Sequence, residues 1–328
     1  MARQAIHPPG AVEPGWFLAM KISPQQAAQA GRTRVSLVTP VYNQGDFVAH
    51  TIDSVLQQDY PGLEYIVVDD GSTDSTPQVL DRYRNRCAVI RQANAGQSGA
   101  LNRGWSAASG EYLGYLSSDD LLEPNAIGAL AQALDTNPDC VVAYGDYYLI
   151  DAAGSVLRLH TAPDYHKRAL EVDLICQPGA GVLFRRSVFE SLGGWNPDLR
   201  QVPDFEFWLR ASRLGSFVRV ASPLARHRIH DASASLRWVS PERSEEILTV
   251  VDNHWQAGAH VLVKRARAQA RLLAARSHLN SRRLAQAGWR WWEAIRLRPT
   301  LVLEPMTWRL LGAGALRRWV YRNRRSER

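Results

Sequence analysis

At 328 residues the chain can hold one large domain with a smaller addition, and its 45% apolar and 22% charged residues are those of an ordinary soluble protein, which excludes a fibrous or disordered chain. The formal charge of +7 hides a division: residues 261–328 carry 17 Lys+Arg against 3 Glu, while the rest of the chain is net acidic. An acidic body with a basic end is not the footprint of a uniformly basic nucleic-acid binder.

Residues 1–33 are rich in Pro, Gly, Ala and Gln and read as a loose extension with a short helix near 24–30. They lack the charged and then apolar pattern of a signal peptide, and no window reaches the roughly 20 apolar residues of a membrane span. Cys87, Cys140 and Cys176 have no metal-ligand spacing and read as buried thiols of a reducing compartment. A cytoplasmic location is the expectation.

From residue 34 strands and helices alternate. Val35–Thr39, Tyr65–Val68, Ala88–Arg91, Tyr112–Leu116 and Val141–Tyr144 are short β-branched or aromatic runs. The segments Phe47–Gln58, Ser75–Arg86, Gly99–Ala108 and Pro124–Asp135 between them carry helical spacing. That order predicts right-handed βαβ units and an α/β fold, a Rossmann-like, doubly wound, mostly parallel sheet. Beyond Gly145 a hairpin is expected over Tyr147–Ile150 and Val156–Leu159, then a strand at Gly181–Phe184 and a helix at Ser187–Leu192. A helix at Asp204–Leu214 and a strand at Phe217–Val220 follow. Residues 241–328 read as a basic, Trp-rich, wholly helical region, with the α/β domain over 34–240.

Acidic residues gather where strands end. Asp119 and Asp120 follow one buried run, Asp69 and Asp70 another, and the carboxyl ends of parallel strands lie along one sheet edge. Asp119-Asp120 reads equally as a cation site or, with Glu123, as a helix cap. Two acidic clusters aimed into one cleft repel unless a cation joins them, which favours the first reading. Tyr42 and Asn43, at the end of the first strand, add a flat ring and an amide to the same edge. Together these supply what a nucleoside diphosphate requires: a surface for the base, a carboxylate for a base N–H at Asp70, and a divalent ion at Asp120 to neutralise phosphates.

The ordered motifs TPVYN (39–43), VVDDGSTD (67–74), NAGQSGALNRG (94–104) and SSDD (117–120) resemble glycosyltransferase family two, inverting nucleotide-sugar transferases with the GT-A fold. The resemblance runs from about Arg34 to Trp238. It implies that Pro40, Tyr42 and Asp70 contact the nucleoside, that Asp119 lies near the ribose, and that Asp120 holds Mn²⁺ or Mg²⁺. Gly96, Gln97 and Asn102 border the nucleotide, and Gly193-Gly194-Trp195 resembles the acceptor-side loop. Asp204 is the implied general base and Glu206 the alternative. His230 is a further metal ligand with His227 competing, and Arg228 lies near the diphosphate. Two departures are Ser117, where relatives often carry an acid, and Pro203, which replaces the acid before Asp204. The implied reaction is a single displacement from a nucleotide-diphosphate sugar, UDP-type by preference, to a saccharide or lipid-linked acceptor, in polysaccharide or glycolipid assembly. A sugar-nucleotide-binding scaffold without turnover and a sugar nucleotidyltransferase remain as alternatives. For the basic end, a helical cap with a solvated face and a peripheral surface resting on anionic membrane at its inner face both stand. No nucleic-acid recognition module accompanies the charge.

Overall fold

The computed structural model describes residues 34–230, 238–256, 260–304 and Thr307. The expected helix near 24–30, together with Trp308 and Trp319 of the basic end, lies outside them. Strand β1 (Val35–Val41) is buried at every residue, as a run of Val and Leu predicts for a strand covered on both faces. It pairs in parallel with β2 (Leu63–Asp69) on one side and β4 (Tyr112–Tyr115) on the other, and β3 (Ala88–Arg91) extends the sheet past β2. Helices α1 (Val48–Leu56), α2 (Thr76–Asp81) and α3 (Gly96–Ala107) make the crossovers, and α4 (Ala126–Thr136) follows β4.

The second half reverses direction once and then continues the sheet. β8 (Val182–Arg185) lies antiparallel between β4 and β6 (Cys140–Ile150); β9 (Ser216–Arg228) runs parallel to β6, and β7 (Val156–His160) forms the expected hairpin on β6. The order is β3-β2-β1-β4-β8-β6-β9-β5, where β5 is the two-residue strand Leu121–Leu122. The mostly parallel α/β sheet is therefore present. Two expected strands, 141–144 and 147–150, are one strand, because register shifts at Gly145 and Asp146 let β6 bend and keep pairing. Strand β9 is far longer than its sequence pattern, since Arg219, Arg226 and Arg228 interrupt the apolar run while their side chains are bonded inside the protein.

Short helices α5 (Lys167–Glu171) and α6 (Arg186–Leu192) flank β8, and α7 (Pro203–Ala211) precedes β9. The C-terminal region holds α8 (Pro241–Trp255), α9 (Val261–Asn280), α10 (Leu284–Leu297) and a 3₁₀ turn at Pro299–Leu303. Ile247, Val250 and Val251 of α8 and Ala266, Ala270 and Ala274 of α9 share one apolar cluster with Trp105, Phe184, Phe207 and Trp208. The boundary expected at residue 240 thus falls between β9 and a helix built into the sheet's own core. Of the cysteines, Cys87 is buried, Cys140 half-buried and Cys176 exposed, and all three are free thiols. Cys176 escapes the expected burial because it stands in the loop before β8 rather than on a strand.

Candidate active site

The acidic turn after β4 is held from behind by α1. The Thr51 hydroxyl lies 2.9 Å from the Ser118 carbonyl and 2.8 Å from that of Asp120, Ser54 Oγ accepts from Leu122 N, and Gln58 Nε2 donates to the Glu123 carbonyl. Strand β5 then pairs Leu121 with Arg226 and Leu122 with Ala225 in antiparallel register. Continuing that register sets Asp120 beside His227 and Asp119 beside Arg228. A two-residue strand has no periodicity, so the sequence held no sign of this link between the two halves.

The pairing is crossed relative to expectation. His227 Nδ1 lies 3.1 and 3.2 Å from the two Asp120 oxygens, whereas His230 Nε2 lies 3.0 Å from Asp119 Oδ2. Asp120 also accepts from Arg228 N at 2.8 Å and is almost fully buried. The Asp120 charge, working against burial, lifts His227 to about 9. Burial and then the Asp120 charge raise Asp119, while His230 pulls it back down. The His230 ring lies 4.7 Å from Phe47, which also carries the Arg228 guanidinium 5.1 Å above it.

Arg228, expected near a diphosphate, is 3% exposed. It donates to the main-chain carbonyls of Asp119, Asp151 and Ala152. It thus joins the acidic turn to the β6–β7 hairpin.

Just past the carboxyl end of β2, Asp70 shapes a loop. Its carboxylate accepts from Gln92 Nε2, Ala95 N and Gly96 N at 2.7–2.8 Å, capping α3. A carboxylate offers about four acceptor sites, so one is left for a base N–H. Asn43 takes φ +51°, and its Oδ1 accepts from Thr73 N and Asp74 N. It locks strand end to loop. Tyr42 beside it is 47% exposed, the condition a stacking surface needs. Pro40 sits in β1 opposite Val68, on the side where β4 has already ended: Val38 O accepts the last bond, from Leu116 N. The missing Pro N–H costs no ladder bond there and marks where the sheet opens.

The acceptor side is organised by α3 and α7. Asn102 makes two bonds to Trp195, Nδ2 to its carbonyl at 2.8 Å and Oδ1 from its N–H at 2.9 Å, so this residue joins the nucleotide-side helix to the Gly193-Gly194-Trp195 loop. Gln97 is exposed on the first turn of α3. Gly96 (φ +79°) faces Arg200, whose guanidinium occupies the space a side chain would need. Trp195 is buried edge-on to Tyr115 at 5.0 Å, and its Nε1–H has no partner among the described residues. Glu206, the alternative base, is instead bonded at both oxygens to Arg210, 2.6 and 2.8 Å. Arg210 in turn holds the Leu192 and Gly194 carbonyls. An i,i+4 pair turned toward the loop leaves Asp204 as the carboxylate without such a partner.

Asp204 stands on the first turn of α7, with burial raising its pKa against its own and the Phe205 backbone N–H groups. Burial raises the Tyr115 phenol well above the ordinary value, and the charges of Asp204 and Asp120 both add to the rise. Sequence reasoning missed Glu246 of α8. It accepts from Arg200 N at 3.0 Å, Gln201 N at 2.6 Å and Val202 N at 3.3 Å, the segment leading into α7.

An α/β sheet of this order, with acids converging at its carboxyl edge, defines a GT-A-type transferase fold. Solved structures agree: the TarS fragment of S. aureus, crystallised with UDP-GlcNAc, superposes with a TM-score of 0.62 over 84% of this chain and 87% of its own at 18% identity. The mannosyltransferase PcManGT of Pyrobaculum calidifontis, solved with GDP-Man and Mn²⁺, gives 0.53 over 87% and 80% at 20% identity. Residues 36–193, just under half of the chain, match the model of glycosyl transferase family 2. An uncharacterized glycosyltransferase of Rickettsia typhi is 33% identical over 210 residues, 61% of this chain and 65% of its own length. Chondroitin synthase of Escherichia coli is 26% identical over 220 residues, 66% of this chain and 32% of its own. The chain thus spans less than two thirds of these curated relatives.

Proposed function

We propose that this protein transfers a sugar, with inversion, from a nucleoside-diphosphate sugar to an acceptor hydroxyl with the help of a divalent metal. The observation that carries the reading is the pairing of the acidic turn after β4 with the end of β9, which sets Asp120 against His227 and Asp119 against His230, at the sheet edge where Tyr42 offers a face for a base. The ligands of the fold's relatives, UDP-GlcNAc and GDP-Man with Mn²⁺, support a nucleotide-sugar donor.

The metal fits the chemistry of the donors present. Asp119, Asp120, His227 and His230 bring carboxylate oxygen and imidazole nitrogen into one corner, the donor types that Mn²⁺ accepts. No group of three or more such side chains that could hold an ion occurs among the described residues. Substrate phosphates would complete the coordination of an ion held by one or two carboxylates. Asp120 would be the principal ligand, with His227 or His230 beside it; the ion would neutralise the departing diphosphate.

In this reading Tyr42 and the remaining acceptor site of Asp70 orient the nucleoside, and Asp119 faces the ribose. Asp204 takes the proton from the acceptor hydroxyl as its oxygen attacks the anomeric carbon. A carboxylate whose pKa is raised by burial holds that proton better than one in water, as a general base requires. The Trp195 Nε1–H, otherwise unsatisfied, is a donor for an acceptor oxygen. The test is product formation: with a panel of nucleotide sugars, saccharide acceptors and Mn²⁺, wild type releases nucleoside diphosphate and forms a product of inverted anomeric configuration, and Asp204→Asn does not. Nucleotide binding with no turnover across the panel favours the scaffold reading instead, and pyrophosphate release from a nucleoside triphosphate favours the nucleotidyltransferase.

A further inference from the structure

Helix α10 presents a face that a solvated helix would not. Ala285, Trp289, Trp292 and Arg296, spaced four, three and four residues apart, share one side and are all exposed, opposite the buried Ala287 and Ala294. Trp289 is 57% and Trp292 47% exposed. Their rings stack at 5.1 Å, and Arg296 lies 5.5 Å over Trp292.

A second arginine–tryptophan pair lies at the start of the helix. Arg282 adopts φ +59°, a left-handed conformation that costs a non-glycine residue stability, and its guanidinium lies 5.3 Å over the exposed ring of Trp238. Leu284 stands exposed two residues on. The one acid of α10, Glu293, is not available to this face, because it pairs with Arg290 and Arg271. Residues 308–328, which continue the chain, add seven Arg against one Glu.

We propose that this face docks peripherally on an anionic lipid surface, with the three indoles at headgroup depth and the arginines on lipid phosphates. Trp belongs at the membrane interface, and bases there are drawn to anionic headgroups. Charge decides the occupant: the exposed charges of α10 and the turn before it are Arg282 and Arg296, Glu293 is paired, and the nearest exposed acid, Glu242, faces Arg283, so the face complements anionic lipid and repels a second copy of itself.

The experiment is sedimentation of the full chain with vesicles of pure phosphatidylcholine and with vesicles containing 30% phosphatidylglycerol (an assay composition, about physiological anionic charge). Binding is expected only to the anionic vesicles and weakens with salt. Trp289→Ala/Trp292→Ala is expected to reduce it at least tenfold, and Arg282→Gln and Arg296→Gln by roughly fivefold each. These side chains are exposed, so the variants retain the wild-type melting temperature and metal-dependent nucleotide binding, which separates this proposal from the transferase reading. Equal binding to both vesicle types, binding that survives the double Trp variant, or a wild-type dimer that this variant dissolves would each overturn the proposal.

Discussion

The carboxylate of Glu246 offers the sharpest test of how the C-terminal helices serve the cleft. It accepts three successive backbone N–H groups, those of Arg200, Gln201 and Val202, immediately before the helix that begins with Pro203 and Asp204. Hydrogen bonds to a charged group contribute about 1.5–3 kcal/mol each when buried. These are part-exposed and share one carboxylate, so Glu246→Ala is expected to cost about 2 kcal/mol in total. For a domain of this size that corresponds to roughly 4 °C in melting temperature. The functional cost should be larger than the stability cost. The loosened segment carries Asp204, and a base displaced by about 1 Å can lose on the order of 10²-fold in rate. Steady-state kinetics should show kcat falling at least tenfold, and by a larger factor than the KM for the nucleotide sugar rises, Arg200 being the one residue of the segment that reaches the Ala95–Gly96 turn. Glu246→Gln, which keeps an acceptor oxygen, should restore part of the rate. If Glu246→Ala melts lower but turns over like wild type, the segment before α7 does not position the base and the reasoning fails.

Three further outcomes follow from the same geometry. Asp204→Asn should lower kcat by about 10²–10⁴-fold yet melt higher at neutral pH. Because the folded-state pKa of Asp204 is raised, its charge opposes folding at high pH, and the gain from Asn should fade as pH falls toward the ordinary carboxylate value of 3.8. Arg219→Ala should cost about 3–5 kcal/mol in denaturant melts, since it strands Asp146, which is bonded at 2.8 and 2.9 Å inside the β6–β9 layer. Asp146 would be raised by burial, but Arg219 and the Ala162 N–H hold it low, so this stabilisation is present above 3.8 and is lost as pH falls through the depressed folded value. Gly193→Ala and Gly194→Ala should differ: both have φ near +80°, but only at Gly194 would a Cβ meet the Asn102 carbonyl oxygen, at 2.3 Å. The first should cost about 1 kcal/mol; the second should cost more and raise the acceptor KM by breaking the Asn102–Trp195 pair.

The parallel half of the fold was legible because its strands are continuous β-branched runs and its helices have clean spacing, and the acid clusters announced the sheet edge. What was hidden depends on side chains that satisfy backbone. Arg219, Arg226 and Arg228 sit in a strand that polarity alone would end at Val220. Asp70, Asn43, Asn102 and Glu206 also bond backbone or side chains of neighbouring segments, a task their sequence positions do not show. The exchange of histidine partners between Asp119 and Asp120 arises from a two-residue strand. Glu246 lies in a helix whose composition suggested an appendage, and only packing shows its reach to the base.

The most direct test of the central claim is calorimetric binding of a nucleoside diphosphate to wild type, Asp119→Asn and Asp120→Asn, with Mn²⁺ and with chelator. The account predicts binding to wild type that requires the metal, weaker metal-dependent binding to Asp119→Asn, and none to Asp120→Asn while its fold persists. Equal affinity in chelator, or an Asp120→Asn protein that binds like wild type, would contradict it.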